Sequence, residues 1–355
     1  MPIAKYRHYG CRIMDELVYK GMRTIFLEND MLRVGVLLDK GADIFQFLHK
    51  PSDTDFLWRS PQGLINPRRF KATKESELGA FLDSFHGGWQ EILPGGGPAI
   101  YRGAELGLHG EVTHLGWDCD ILEDTAERIA LRLQVDGVRT PLHLERVMRM
   151  ERGKPVLFLD EVLTNCSPEP VDVMWGHHPA FGAPFLHAGV RLLVPAAKVE
   201  VDDPQFAPSG ILKPGAVYDW PVVPAGSQTL DLSRVAAADA GFCERLYLKE
   251  LSAGWYAVWD DARRLGFGMA WPLEVFPFVW FWLVYGRAPG FPWWNQAYVV
   301  ALEPWSGIPA GLQRAFERGN QLSLKGGESI SVSLCAVAIS GCDTVNQISV
   351  DGTVC

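Results

Sequence analysis

Glu303 closes the run Val299-Val300-Ala301-Leu302-Glu303-Pro304-Trp305, an apolar strand pattern that ends in one acid, a proline and a tryptophan. A carboxylate held at a rigid strand end, beside a loop shaped by Pro and Trp, can be tuned by partial burial into a general base. Its partners by residue type are His109, His177 and His178, in two other Gly-flanked stretches. Imidazole titrates near neutrality, so it gives a proton as readily as it takes one. His178 precedes Pro179, whose fixed ring restrains the backbone that carries the imidazole. The chemistry these residues offer is paired proton transfer.

Two stretches supply further polar groups. Phe85 to Pro98 contains five glycines and two prolines in fourteen residues, a density that suits sharp turns or close backbone approach and argues against a regular element. Its spacing matches neither a Walker loop nor a dinucleotide fingerprint. Leu108 to Trp117 then brings His109, Glu111 and His114 within six positions. Such a set could share a metal ion, as in a cupin-like enzyme, although the cupin order places Glu after the second His and here Glu comes first. Eight of the thirteen tryptophans fall between residues 255 and 305. Most fill a core, but Trp293, Trp294 and Trp305 stand beside Pro or Asn at expected loops, where a ring meets a ligand such as a sugar face.

Composition narrows the partners. A formal charge of −9 and a pI near 5.5, with no dense Lys/Arg run, give no electrostatic basis for binding nucleic acid or anionic lipid. The first residues carry scattered charges and no apolar h-region, so the cytosol is the expected location. Seven cysteines, widely spaced and without a CxxC pair, fit neither a disulfide framework nor a zinc site. The most apolar run, Val275 to Tyr285, is too short to span a bilayer and contains Pro277.

The elements that must position these groups read as strands. Residues 23–29 and 31–39 form two runs joined by the turn pair Asn29-Asp30, and 41–48 begins a third after a glycine. Residues 61–74 read as a surface excursion. From 126 to 165 alternation is strict: Ile129, Leu131, Leu133 and Val135 oppose Arg128, Arg132 and Gln134, and two similar runs follow, as in an antiparallel sheet with one wetted face. A strand at 171–175 delivers the His177-His178 loop. Residues 195–235 read as long connections. The run 276–283 is apolar on both faces and belongs between two layers. Residues 309–318 form a helix, 321–338 return to strand, and 341–355 read as a flexible tail. One domain over 1–340 is the expectation, since all-β domains of this length occur.

In this order the motifs resemble the aldose 1-epimerase (galactose mutarotase-like) superfamily over roughly residues 20–340. Gly87-Gly88-Trp89-Gln90-Glu91-Ile92-Leu93-Pro94 is similar to its Gly-Gly…Pro stretch, His109-Gly110 to its substrate-binding His-Gly segment, His178-Pro179-Ala180-Phe181 to its His-x-x-Phe, and Leu302-Glu303-Pro304 to the strand end bearing its base. The resemblance implies an all-β supersandwich of large antiparallel sheets with few short helices. It implies interconversion of α and β anomers of a hexose or hexose derivative, with no cofactor and no metal.

In that reading Glu303 and His178 are catalytic, Glu303 taking the anomeric hydroxyl proton while His178 protonates the ring oxygen. His109, His177, Glu244, Trp305 and Glu91 are the substrate-binding candidates, Glu244 because Glu244-Arg245-Leu246-Tyr247 is similar to the family's Asp-Arg-x-Tyr. The chain departs from the pattern in several places, among them Ala180, which stands where the family's His-Thr-Tyr-Phe version has Tyr. His177 stands where Asn is common, and the Asn-Arg motif of galactose mutarotases is missing near Asn66-Pro67-Arg68-Arg69, which points toward the glucose-6-phosphate 1-epimerase branch. Arg59, Arg69 and Arg102 are candidates for a phosphate or sulfonate on the sugar. A sugar-binding protein of the same fold without catalysis is the rival reading. Nothing in the sequence specifies an oligomer.

Overall fold

The computed structural model describes residues 7–70 and 76–355. Alternating apolar positions become strands, and among the described residues most of them build two large antiparallel sheets that share one core, beside three two-stranded sheets. The larger has twelve strands, in the order Arg12–Tyr19, Met22–Glu28, Leu32–Leu37, Asp43–His49, Trp89–Ile92, Gly176–Gly182, Tyr298–Trp305, Phe278–Tyr285, Phe242–Lys249, Lys198–Val201 and Val217–Asp219, with Thr54–Asp55 paired to Asp43–His49. The smaller has eight, in the order Arg191–Leu193, Trp255–Asp260, Leu265–Ala270, Ser329–Ser340, Val156–Asn165, Leu142–Glu151, Arg128–Asp136 and Asp118–Asp124. The fold is galactose mutarotase-like and all-β, with two short α-helices among the described residues, Gly79–Leu82 and Leu312–Arg318.

The inner faces of the two sheets meet in a continuous apolar layer. Leu27, Val34, Phe47, Phe181 and Leu302 of the large sheet pack with Leu131, Leu144, Leu157, Phe267 and Leu334 of the small one. Phe267 ties the layers, its ring 5.1 Å from Phe47 and 4.9 Å from Phe181. Burial of each such ring contributes about 1.5–3 kcal/mol. The opposite face of the large sheet carries a second apolar cluster that includes Phe81, Phe85, Leu108, Ala180, Trp280 and Trp305. That face holds the pocket.

The structure corrects several expectations. The glycine-rich segment contains a strand after all, Trp89–Ile92, paired on both edges within the large sheet. His177 and His178 lie within the fully buried strand Gly176–Gly182 and not in a loop. Strand preference follows the surface on which a residue packs more than its own propensity, so a His-His-Pro run is extended here by neighbours on each side. Residues 195–235 contain the strands Lys198–Val201, Val217–Asp219, Val222–Ala225 and Gln228–Asp231. Residues 341–355 are no frayed tail: Val345 and Ile348 are buried with Trp259 and Val337, and the Asn346 amide donates to the Cys355 carbonyl at 2.6 Å. This segment covers apolar side chains on the outer face of the small sheet. Of the excursion expected at 61–74, positions 71–74 lie outside the described residues, and Pro67–Arg69 forms one 3-10 turn. All seven cysteines are free thiols. Among the described residues no helix is long and apolar enough to cross a membrane.

Candidate active site

The register of the large sheet builds the site. Directly opposed residues of neighbouring antiparallel strands point to the same face. Gln90 opposes His178, Trp280 opposes Glu303, and Tyr247 opposes Trp280. Between strands 176–182 and 298–305 the paired positions are Gly176 with Trp305 and Ala180 with Ala301, which sets His178 opposite Glu303. Pro179 has no N–H for the ladder, and the pairing is open around it. One row therefore crosses five strands: Gln90, His178, Glu303, Trp280, Tyr247. Gly176 must be glycine because a side chain there would collide with the Trp305 ring. That ring stacks on Trp280 with centroids 4.0 Å apart.

A cavity of about 230 Å³ opens over the row. An engineered cavity of roughly 150 Å³ holds benzene, so this one has room for a single six-membered ring with substituents. Its walls are largely aromatic: Phe81, Phe85, Trp282 and Trp293 stand around the His178 and Glu303 side chains. Phe85 and Trp282 lie 5.3 and 6.1 Å from the His178 ring. His109 enters from the loop before Gly110 with a positive φ of 63°, a strained conformation for a non-glycine residue and one that marks functional loops. Its ring packs edge-on against Phe81 at 4.3 Å and sits 5.3 Å from His178.

Electrostatics separates the two central groups. His178 Nε2 lies 3.4 Å from Glu303 Oε1, and the Trp305 indole N–H donates to Glu303 Oε2 at 3.0 Å. Burial pushes the Glu303 carboxyl up to about 8, against opposing pulls from the Trp305 hydrogen bond and the Arg245 charge. Burial, against an opposing hydrogen bond from the residue's own backbone and with Arg245 nearby, pushes His178 down to about 4. His109 is held well below the usual imidazole value by burial and by His178, Arg245 and His114. Between these limits the pair holds one proton, which rests on Glu303. Titratable neighbours pushed apart in this way are the mark of an acid–base site.

The other face of strand 176–182 is a different world. Alternation turns His177 inward, where Nδ1 lies 3.1 Å from Glu91 Oε2 and Nε2 lies 3.2 Å from Glu161 Oε2. Arg146 pairs with both carboxylates, and the Trp175 indole donates to Glu91. Burial alone would lower His177, but Glu91 and Glu161 overcome it and hold it up at about 9. Glu91 is held down at about 2, burial being outweighed by His177 and Arg146. Two anions and two cations thus balance inside the sandwich. Glu91, Glu161 and His177 are the group whose ligand atoms converge within 4.8 Å among the described residues. Arg146 already supplies the positive charge that a metal ion would bring.

A family model described as a domain of unknown function (DUF4432) matches residues 19–336. The chain belongs to the DUF4432 family. No curated protein matches it. Solved structures share its fold: a candidate aldose 1-epimerase from Klebsiella pneumoniae subsp. pneumoniae superposes with a TM-score of 0.70 at 19% identity, covering 93% of this chain and 83% of that one. A galactose mutarotase-like protein from Clostridium acetobutylicum gives 0.64 at 13% identity over 94% and 99%. A galactose mutarotase related enzyme from Lactobacillus acidophilus gives 0.58 at 18% over 91% and 99%.

In this DUF4432 protein the pocket brings together His178, Glu303 and His109, and Trp305 touches it through Glu303. It does not bring His177 or Glu91, which alternation turns into the core. Glu244 is also turned away: its carboxylate accepts from the backbone amides of Ile211 and Leu212 at 2.6 and 2.9 Å. Its neighbour Arg245 lines the pocket instead, paired with the buried Asp202 and stacked 5.6 Å over the Trp280 ring. A lone Arg in the apolar strand Phe242–Lys249, on the same side as Cys243 and Tyr247, was the available signal. Glu111 cannot join His109 and His114 on a metal, because its carboxylate accepts from the amides of Val138, Arg139 and Thr140 and from the Thr140 hydroxyl. Arg59 and Arg102 pair with Asp55 and Glu169, and neither these two nor Arg69 lines the pocket.

Proposed function

We propose that this protein is a mutarotase-type isomerase that opens and recloses the ring of one monosaccharide unit. The observation that carries the reading is the Glu303–His178 pair, 3.4 Å apart, holding one proton under an aromatic-walled cavity of single-ring size. A cyclic aldose presents two oxygens on its anomeric carbon, one bearing a proton and one needing it when the C–O bond breaks. With Glu303 ionised and His178 protonated, Glu303 takes the hydroxyl proton and His178 gives one to the ring oxygen. The ring C–O bond breaks and a carbonyl forms. Rotation about C1–C2 and the reverse transfers close the other anomer.

After opening, the proton of the pair rests on Glu303, the member whose burial favours holding it. The pair can also begin from that arrangement, with His178 as base and Glu303 as acid, because both arrangements hold the same number of protons. His109 is placed to hydrogen-bond a sugar hydroxyl and Arg245 to face charge that develops on oxygen. Trp282, Trp293 and Phe85 offer ring faces to the sugar's C–H groups.

The test is saturation-transfer NMR on equilibrated glucose, galactose, glucose 6-phosphate and a sulfonated hexose. Faster α/β exchange than buffer for at least one sugar supports the proposal and identifies the substrate class. Binding shifts with exchange at the buffer rate for every sugar would mean a sugar-binding protein without catalysis.

A further inference from the structure

Gln90 stands directly opposite His178 on the neighbouring strand, so both side chains rise from the same face of the sheet. Gln90 is completely buried. Its amide nitrogen donates to the Gly87 carbonyl at 2.7 Å and reaches Asp43 Oδ2 at 3.4 Å. A backbone carbonyl can only accept, so the orientation of this amide is fixed and its oxygen points the other way. That oxygen is buried with no hydrogen-bond partner among the described residues. On the imidazole opposite, Nε2 faces Glu303, and Nδ1 is likewise buried, with no side-chain partner among the described residues and only the residue's own backbone acting on the ring. A buried acceptor and a buried ring nitrogen, neither with a side-chain partner among the described residues, gain by meeting.

We infer that Gln90 is the positioning residue of His178: its Oε1 accepts the Nδ1 proton, directly or through one water, and so fixes the tautomer whose Nε2 lone pair faces Glu303. Catalytic hydrogen bonds are commonly long in an empty pocket and tighten around a ligand. Gln90 is itself held from behind. The buried Lys40–Asp43 ion pair anchors its amide, and His86 Nδ1 lies 3.7 Å from Asp43 Oδ2. The charged and titratable groups around His178 are Glu303 on strand 298–305, Arg245 on strand 242–249 and His109 on its loop, with Asp43, Lys40 and His86 behind Gln90. A neutral amide in this place orients the ring without taking its proton, as a carboxylate could. His178 therefore remains free to gain and lose a proton at Nε2 alone.

This inference rests on reading the pocket as an acid–base site, and its test is made without sugar. In protein labelled with 15N-histidine, long-range 1H–15N spectra at pH 6 report which ring nitrogen of His178 carries the proton, with His178→Asn assigning the signals. The expected result is Nδ1 protonated and Nε2 bare in the wild type, and a mixed tautomer in Gln90→Met. The rate of anomer exchange at saturating sugar falls about tenfold in Gln90→Met with KM little changed, the size typical of losing a group that orients a reacting ligand. A bare Nδ1 in the wild type overturns the inference, and that spectrum decides even if the variant does not fold. An unchanged tautomer in a folded Gln90→Met overturns it as well. A tautomer shift with no exchange of any aldose would leave Gln90 in this role and remove the isomerase reading.

Discussion

His177 and His178 are consecutive residues that face opposite sides of one strand and hold opposite charge states. His177 sits between Glu91 and Glu161 and stays protonated to about pH 9, whereas His178 faces Glu303 and stays neutral down to about pH 4. Strand alternation alone assigns one to the core and one to the pocket.

On the proposed mechanism, removing either member of the pocket pair should abolish most of the rate. Glu303→Gln and His178→Asn keep size and polarity and are expected to lose about 10²–10⁴-fold in anomer exchange, the usual contribution of a positioned acid or base. Circular dichroism should stay native. A near-wild-type rate from either variant would remove the assigned roles.

The pH profile should be a bell with limbs near 4 and 8. Glu303 loses the proton of the pair above about 8, and His178 gains a second below about 4. These limbs belong to the pair as a whole. Initial exchange rates across pH 3–10 measure them, and a rate that rises steadily through pH 9 contradicts the assignment.

Ionised Glu303 should cost stability above neutral pH. Its folded value near 8 is raised above the ordinary 4.5. Its favourable contribution is therefore complete below 4.5 and lost as pH rises through about 8. Glu303→Gln, permanently neutral, should melt higher than wild type at pH 8 and nearly equally at pH 4, by calorimetry at both values.

Trp305 should set the alkaline limb. Its indole N–H donates to Glu303 and favours the ionised form. Trp305→Phe keeps a ring against Trp280 but loses the donor, so the alkaline limb moves to higher pH. A limb that stays in place would show that this hydrogen bond does not govern Glu303.

The balanced cluster behind the site should tolerate no single loss. Arg146→Met leaves Glu91 and Glu161 buried with too little positive charge and should destabilise by about 3–5 kcal/mol in urea unfolding. His177, raised above its ordinary 6.5, stabilises fully below that value and loses its contribution as pH rises through about 9. The deficit of His177→Asn should therefore shrink between pH 6 and pH 10.

The sheets were legible because period-two alternation at 126–165 and the doubly apolar run at 276–283 state their burial directly. Glu303, His178 and His109 were legible by type and by Gly or Pro flanks. Face was not. Whether His177 or His178, Glu91 or Gln90, Glu244 or Arg245 reaches the pocket depends on strand phase, and a one-residue error inverts it. The glycine-rich segment concealed the strand Trp89–Ile92, because four residues between glycines carry too little pattern to be read. The segment 341–355 looked loose because Val345 and Ile348 are isolated apolar residues in a polar stretch, and only the outer face of the small sheet gives them something to cover.

In the row Gln90, His178, Glu303, Trp280, Tyr247, Trp280 and Glu303 lie on consecutive strands, whereas the contacts of His178 with Gln90 and with Glu303 join strands far apart along the chain and close long loops. Such contacts form late and slowly compared with local ones. No fragment that lacks strand 89–92 or strand 298–305 contains the acid, the base and the side chains behind them together. If the proposed isomerase activity is present, its return during refolding is consequently a clock for the closing of the large sheet, and it should lag the recovery of far-ultraviolet signal from the local hairpins at 128–165.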